Sequence, residues 1–211
     1  MDIGIWRSRS NIRLLHASPG APAVDVYAND NKIASNLAFK NLTRYIDVRP
    51  GRYNIKVYPA GRRRNPVLVD NITVRPDTIY TVAVINRLNN LALFPVIDLV
   101  QISPAVNREN TAYIRASHLS PNAPAVNVRI DNRTIANNLN YKSISRYVPV
   151  DPGTYNINIF RAGTDNNVLR KVNVVIQPGF YYTIYVLGLV NEEPPLQAIV
   201  PIDGIYYLSR R

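Results

Sequence analysis

The sequence predicts an all-β protein made of two tandem antiparallel β-sandwiches. Three observations predict it. The stretch His16–Tyr27 recurs as His118–Arg129, and the offset of 102 residues holds without a gap from Arg13/Arg115 to Gly61/Gly163. A long gapless repeat is one folding unit used twice. Apolar and polar residues alternate over short runs such as Ala23-Val24-Asp25-Val26-Tyr27, which is the period of a half-buried strand. Those runs are separated by Pro, Gly, Asn and Asp clusters that stop strands and build turns, and no helical period exceeds two turns. A length of 211 residues suits one or two domains, and the repeat decides for two. Each is roughly 90–100 residues, enough to bury its own core.

Taken in order, residues 1–10 form an N-terminal arm that precedes the repeat, with an apolar tip of Ile3, Ile5 and Trp6. The first sandwich spans 11–100. Ile12–Ala17 reads as a strand, and Ser18-Pro19-Gly20-Ala21-Pro22 as a turn, because proline fixes φ and pushes its predecessor into extended backbone. Ala23–Tyr27 is a strand, Asn29-Asp30-Asn31 a hairpin turn, and Lys32–Ala34 a short strand. Leu42–Val48 alternates. Arg49-Pro50-Gly51 turns the chain, with Pro preset at one corner and Gly free at the next. Arg52–Tyr58, Val67–Val74, Thr78–Ile85 and Leu91–Val100 complete the set. Polar residues 101–110 are a linker, and 111–203 repeat the plan. The second copy has one residue fewer after Gly163 and about three more around Glu192-Glu193-Pro194-Pro195. The tail 204–211 carries Ile205, Tyr206, Tyr207 and Leu208, which suit an added strand.

The pattern Val-x-Pro-Gly-x-Tyr-x-Ile-x-Val, at Val48–Val57 and again at Val150–Ile159, is common in immunoglobulin-like and transthyretin-like sandwiches. Together with His-Ala-Ser-Pro-x-Ala-Pro-Ala-Val-Asp-Val-Tyr (His16–Tyr27) and Tyr45-x-x-Val48, it resembles the domain of unknown function numbered 4397. The resemblance covers nearly all of 11–203, and the second copy is the more diverged, with Asn127 for Asp25 and Arg129 for Tyr27. It implies an immunoglobulin-like fold, a bacterial surface or exported protein, and no catalytic residues.

The residues themselves argue against an enzyme. His16 and His118 are the only histidines, and each has a serine two positions on. Two residues on one strand lie about 7 Å apart, too far for a direct Ser–His bond, and the nearby Asp25 becomes Asn127. The histidines are therefore expected to be structural. The chain has no Cys, which removes disulfides, thiolate metal sites and Cys nucleophiles. No glycine-rich phosphate loop is present. Asp98 and Asp203 close both copies in Ile-Asp, which reads as strand-end turn chemistry with calcium as the sharper alternative. No cofactor is expected.

Net charge is +11, which points to an anionic neighbour. Its densest cluster is Arg62-Arg63-Arg64, with Arg44, Arg49 and Arg52 as candidates to join it. The second copy has Thr164-Asp165-Asn166 there, so the charge belongs to one copy rather than to the fold. Basic residues are not interleaved with exposed aromatics along a groove, so nucleic acid is disfavoured as a partner. These features predict a non-enzymatic structural protein that assembles with itself, head to tail into a filament or surface layer. Assembly would run through its sandwich edges and through Ile3, Ile5, Trp6, Ile205, Tyr206, Tyr207 and Leu208. A binding module for an anionic polymer, contacted by Arg62, Arg63 and Arg64, is the alternative. No apolar window is long enough to span a membrane, and the first residues lack the pattern of a signal peptide. The expected place is a cell or spore surface reached without a classical leader, with the cytoplasm as the alternative.

Overall fold

The computed structural model describes residues 9–98, 110–164 and 167–204. In repeat one the strands are β1 (Ser10–His16), β2 (Val24–Ala28), β3 (Asn31–Leu37), β4 (Ile46–Val48), β5 (Gly51–Pro59), β6 (Leu68–Val74), β7 (Ile79–Ile85) and β8 (Ala92–Asp98). They form two sheets, β4-β1-β7-β8 and β3-β2-β5-β6. Repeat two has β9 (Ala112–His118), β10 (Val126–Ile130), β11 (Arg133–Leu139), β12 (Ser143–Ile144), β13 (Val148–Val150), β14 (Gly153–Arg161), β15 (Asn167–Ile176), β16 (Tyr181–Leu187) and β17 (Gln197–Ile199). Its sheets are β12-β9-β16-β17, with β13 also on β9, and β11-β10-β14-β15. The chain is thus two tandem β-sandwiches. The pairing is antiparallel except for β1 with β7 and β9 with β16, which run parallel.

Two sequence motifs have visible jobs in the fold. In Pro-Gly-x-Tyr the tyrosine pins its own turn: Tyr53 Oη donates to the Arg49 carbonyl at 2.8 Å, and Tyr155 Oη to that of Asp151 at 2.8 Å. Asp25 caps an irregularity in β3, accepting from the Asn36 amide at 2.9 Å, where Asn36 has φ 49°. Asn127 does the same for Asn138 at 2.8 Å. The cap needs only an oxygen, so Asp and Asn both serve. The alternation over Leu42–Val48 yields a strand only at Ile46–Val48. Upstream, the Thr43 side chain accepts from the Leu14 amide at 2.9 Å, and a side chain in place of a backbone partner interrupts the ladder. The residue missing after Gly163 is regained inside β15: a register shift between Tyr155 and Ile157 restores the offset before Ile176 pairs with Gly153.

Each sandwich has its own core. Val26, Val57, Val82 and Ile12 centre the first, and Val128, Ile159, Ile184 and Ile114 the second. A third cluster lies between the repeats and joins Leu15, Ala17, Ala83 and Ile85 to Leu119, Tyr185 and Leu187. Every residue of β1, β7 and β16 is buried. These strands face their own core on one side and the other repeat on the other, and the sandwiches stack through their inner sheets into four layers.

Candidate functional site

The alternation of β1 decides what meets the other repeat. Ile12 and Leu14 point into the first core, while Arg13 and Leu15 point out of it. Arg13 is 4% exposed. A buried guanidinium must have its donors satisfied, and here they are. Its Nε donates to Thr81 Oγ1 at 2.8 Å, Nη1 to the Ile202 carbonyl at 2.6 Å, and Nη2 to Asp203 Oδ1 at 2.7 Å. The Tyr45 ring lies 4.6 Å from its guanidinium carbon. Thr81 is opposite Arg13 because β7 pairs β1 in that register.

The arrangement is repeated in reverse. Arg115 donates to Thr183 Oγ1 at 2.9 Å, the Ile97 carbonyl at 3.0 Å and Asp98 Oδ1 at 2.7 Å, over the Tyr147 ring at 4.3 Å. Each arginine therefore reaches the aspartate that closes the other repeat. The second oxygen of each carboxylate is also taken. Asp98 Oδ2 accepts from Thr81 at 2.8 Å and Tyr45 at 2.7 Å, and Asp203 Oδ2 from Thr183 at 2.6 Å and Tyr147 at 2.5 Å. Both aspartates are 0% exposed. Burial and the nearby Asp203 charge push the Asp98 carboxyl up to about 6. Burial, then the neighbouring carboxylates, push the Tyr45 and Tyr147 phenols above their ordinary range, so both stay protonated donors.

This lattice corrects the reading of Asp98 and Asp203 as strand-end turn residues or calcium ligands. Both oxygens of each carboxylate are engaged by guanidinium, threonine and tyrosine donors inside the fold. Among the described residues no three His, Asp or Glu converge as metal ligands would. The contact also extends to the rim. Arg87 holds both oxygens of Glu192 at 2.8 and 2.7 Å, and Lys40 donates to Gln197 at 3.2 Å. Glu192, in the segment peculiar to repeat two, thus has its basic partner within the chain. Gly204 packs under Tyr45, where a Cβ would stand 2.7 Å from the ring.

The histidines serve the Ser-Pro turn. The Ser18 amide donates to His16 Nδ1 at 3.3 Å, which leaves Nε2 protonated to donate to the Pro22 carbonyl at 3.0 Å. His118 does the same with Ser120 and Pro124. Burial lowers both imidazoles from their usual range and keeps them neutral. The Ser120 hydroxyl donates to the Gly188 carbonyl at 2.6 Å, and in both repeats it is the serine's backbone amide, not its hydroxyl, that meets the imidazole.

Arg62, Arg63 and Arg64 are exposed in the loop after β5. Arg63 stacks over Tyr27 at 4.8 Å, and Lys32 lies 5.4 Å from the same ring. Arg49 and Arg52 stand at the start of β5, and the loop follows its end, so they do not join the cluster. Ile3, Ile5, Trp6, Ile205, Tyr206, Tyr207 and Leu208 lie outside the described residues, as does the linker up to residue 109.

The family described as Domain of unknown function (DUF4397) matches residues 10–109 and 112–203. No curated protein matches the sequence. Among solved structures, a family CBM26 module of Eubacterium rectale Amy13K in complex with maltoheptaose is 11% identical over 93% of this chain and 97% of its own, with a TM-score of 0.27. A proposed cell adhesion protein of Parabacteroides distasonis is 10% identical over 92% and 97%, with a TM-score of 0.22. A leucine-rich repeat protein of Bacteroides thetaiotaomicron is 14% identical over 87% and 26%, with a TM-score of 0.20. Likeness at this level carries nothing over to this chain.

Proposed function

The chain belongs to this family of domains of unknown function in both of its halves, and we propose that it is a non-enzymatic structural protein, one rigid subunit of a fibre or layer on a cell or spore surface. The observation that carries the reading is the reciprocal Arg13–Asp203 and Arg115–Asp98 pairing. Two domains on a linker usually move against each other. Buried charges whose shortest ion pairs lie in the other repeat make separation costly, and a subunit that bears load at both ends gains from one fixed shape. The lattice itself is sealed from solvent, and the histidines are committed to their turns. Function then falls to the surface: sandwich edges, arms and loops. Among the described residues no helix is long and apolar enough to cross a membrane. The test is electron microscopy and sedimentation of the purified chain at high concentration. Regular oligomers or filaments are expected; monodisperse monomers at every concentration would sink the proposal.

A second reading, a module for an anionic polymer, is favoured by one observation: Arg62 and Arg64 are exposed beside the Tyr27-stacked Arg63. It requires affinity for a polyanion such as heparin that falls steeply with salt. The triple Arg62→Ala, Arg63→Ala, Arg64→Ala variant should lose it.

A further inference from the structure

The two sandwiches differ in how well their cores close. In repeat two, Ile130 and Ile135 are 1% and 4% exposed and fill the rim between β11 and β13. The matching residues of repeat one are Ala28 and Ile33, both only partly buried. The smaller alanine leaves a cleft of about 200 Å³ between the edges of β3 and β4. Ile12, Ala28, Ile33, Ile46, Tyr53 and Ile55 line it. An apolar cavity of about 150 Å³ accepts a benzene ring, so this one has room for an aromatic side chain.

The chain outside the described residues begins at the rim of this cleft. Arg9 lies 3.5 Å from Asp47, and Asn11 donates to the same carboxylate at 2.5 Å. Asp47 lines the cleft. The eight preceding residues hold Ile3, Ile5 and Trp6 and, extended, reach about 26 Å. We propose that this cleft receives the apolar N-terminal arm of a second copy of the chain, with Trp6 as its anchor. The topology favours a second copy over the chain's own arm. Ser10 pairs with Val48, and immediately beyond, Arg49 and Pro50 cross from the β4 sheet to the β5 sheet. The antiparallel pairing also carries the chain out of β1 at Ser10 past the end of β4, away from Ile12 and Leu14 in the cleft. The chain's own arm has to reverse to enter it, whereas a neighbour's arm enters along the open edge. Donor and acceptor sit on the same rim of the same repeat, so two copies exchange arms about a two-fold axis and form a closed pair. The pair is the building step of the assembly proposed above, and the inference rests on that reading.

Trp6 is the only tryptophan, so its fluorescence reports the seat directly. Three variants of the full chain test it: Ala28→Ile, which puts at this position the residue repeat two carries; Trp6→Ala; and deletion of residues 1–8. The wild type is expected to sediment as a dimer with blue-shifted emission. Ala28→Ile should sediment as a monomer with red-shifted emission and an unfolding midpoint no lower than the wild type. Trp6→Ala, which leaves the folded body untouched, should weaken association at least about 30-fold, as loss of a central aromatic anchor does. A wild type that associates while Ala28→Ile associates equally well, with unchanged emission, overturns the cleft as the seat and leaves the assembly reading standing. A monomeric wild type with blue emission that turns red in Ala28→Ile overturns the exchange in favour of the chain's own arm. A monomeric wild type with red emission in both overturns this inference, and monomers at every concentration overturn the assembly reading with it.

Discussion

The two repeats match each other in the charge lattice that joins them and diverge along their outer edges. Arg13, Thr81 and Tyr45 on one side match Arg115, Thr183 and Tyr147 on the other, partner for partner and nearly distance for distance. Away from the interface, Ala28 stands for Ile130, Arg62 for Thr164, and Asp25 for Asn127. A reciprocal contact needs each side to supply what the other lacks, so a change on one side strands a buried charge on the other. An outer edge carries no such tie and is free to take up work in one copy alone. The apolar part of the interface departs from this symmetry: Tyr185 stands where repeat one has Ala83, Leu119 where it has Ala17, and Ser117 where it has Leu15. A large side chain against a small one lets two similar sheets interdigitate.

The largest test of this comparison is to break it on each side in turn. Asp98→Ala strands Arg115 and Asp203→Ala strands Arg13, and each should cost about 3–5 kcal/mol in denaturant unfolding. Near-equal losses support a reciprocal lattice; a loss below about 1 kcal/mol on either side breaks it. His16→Ala and His118→Ala should cost about 1–3 kcal/mol each, since each leaves a buried amide and a carbonyl without partners. Unequal values would mean that the two turns are not equivalent.

The pH dependence separates the two kinds of buried group. The imidazoles are lowered in the fold, so the unfolded chain takes up protons first and their contribution falls as pH drops below about 6.5. Asp98 runs the other way. Its folded value of about 6 lies above the ordinary aspartate value of 3.8, so between these values the folded state binds the extra proton and acidification favours it. The advantage of wild type over Asp98→Asn should therefore grow as pH falls from 6 to 4 in parallel urea titrations. If it shrinks, Asp98 is an ordinary paired carboxylate. The smallest effect is expected at the rim, where Glu192→Ala removes an exposed pair and should leave the unfolding midpoint unchanged within error.

Much of this was legible in the residues. Alternation and turn chemistry placed the strands of both sandwiches, because side-chain period and proline or glycine backbone limits act locally. Asp25 and Asn127 at one position showed that no shared triad existed. The interface was not legible in the same way. Arg13 and Asp203 are 190 residues apart, and no local pattern connects them. A signal was present: β7 is apolar on both faces apart from Thr81 and the Tyr80 hydroxyl, β1 carries Arg13 among Ile12, Leu14 and Leu15, and an arginine on a doubly buried strand needs a carboxylate from somewhere. Asp98 and Asp203, at matched positions, were the available ones. The parallel β1–β7 pairing was missed for a related reason, since strand direction depends on where the chain returns and not on its period.

By itself the sequence determined the duplication, the sandwich class and the turns, because each follows from short-range sterics and from burying one face of each strand. Only the tertiary structure decided that the two sandwiches share a sealed charge lattice, that His16 and Asp25 are backbone caps, and that Ala28 opens a cleft at the exit of the N-terminal arm. Those facts depend on which surfaces meet, and that is settled by the packing of whole sheets.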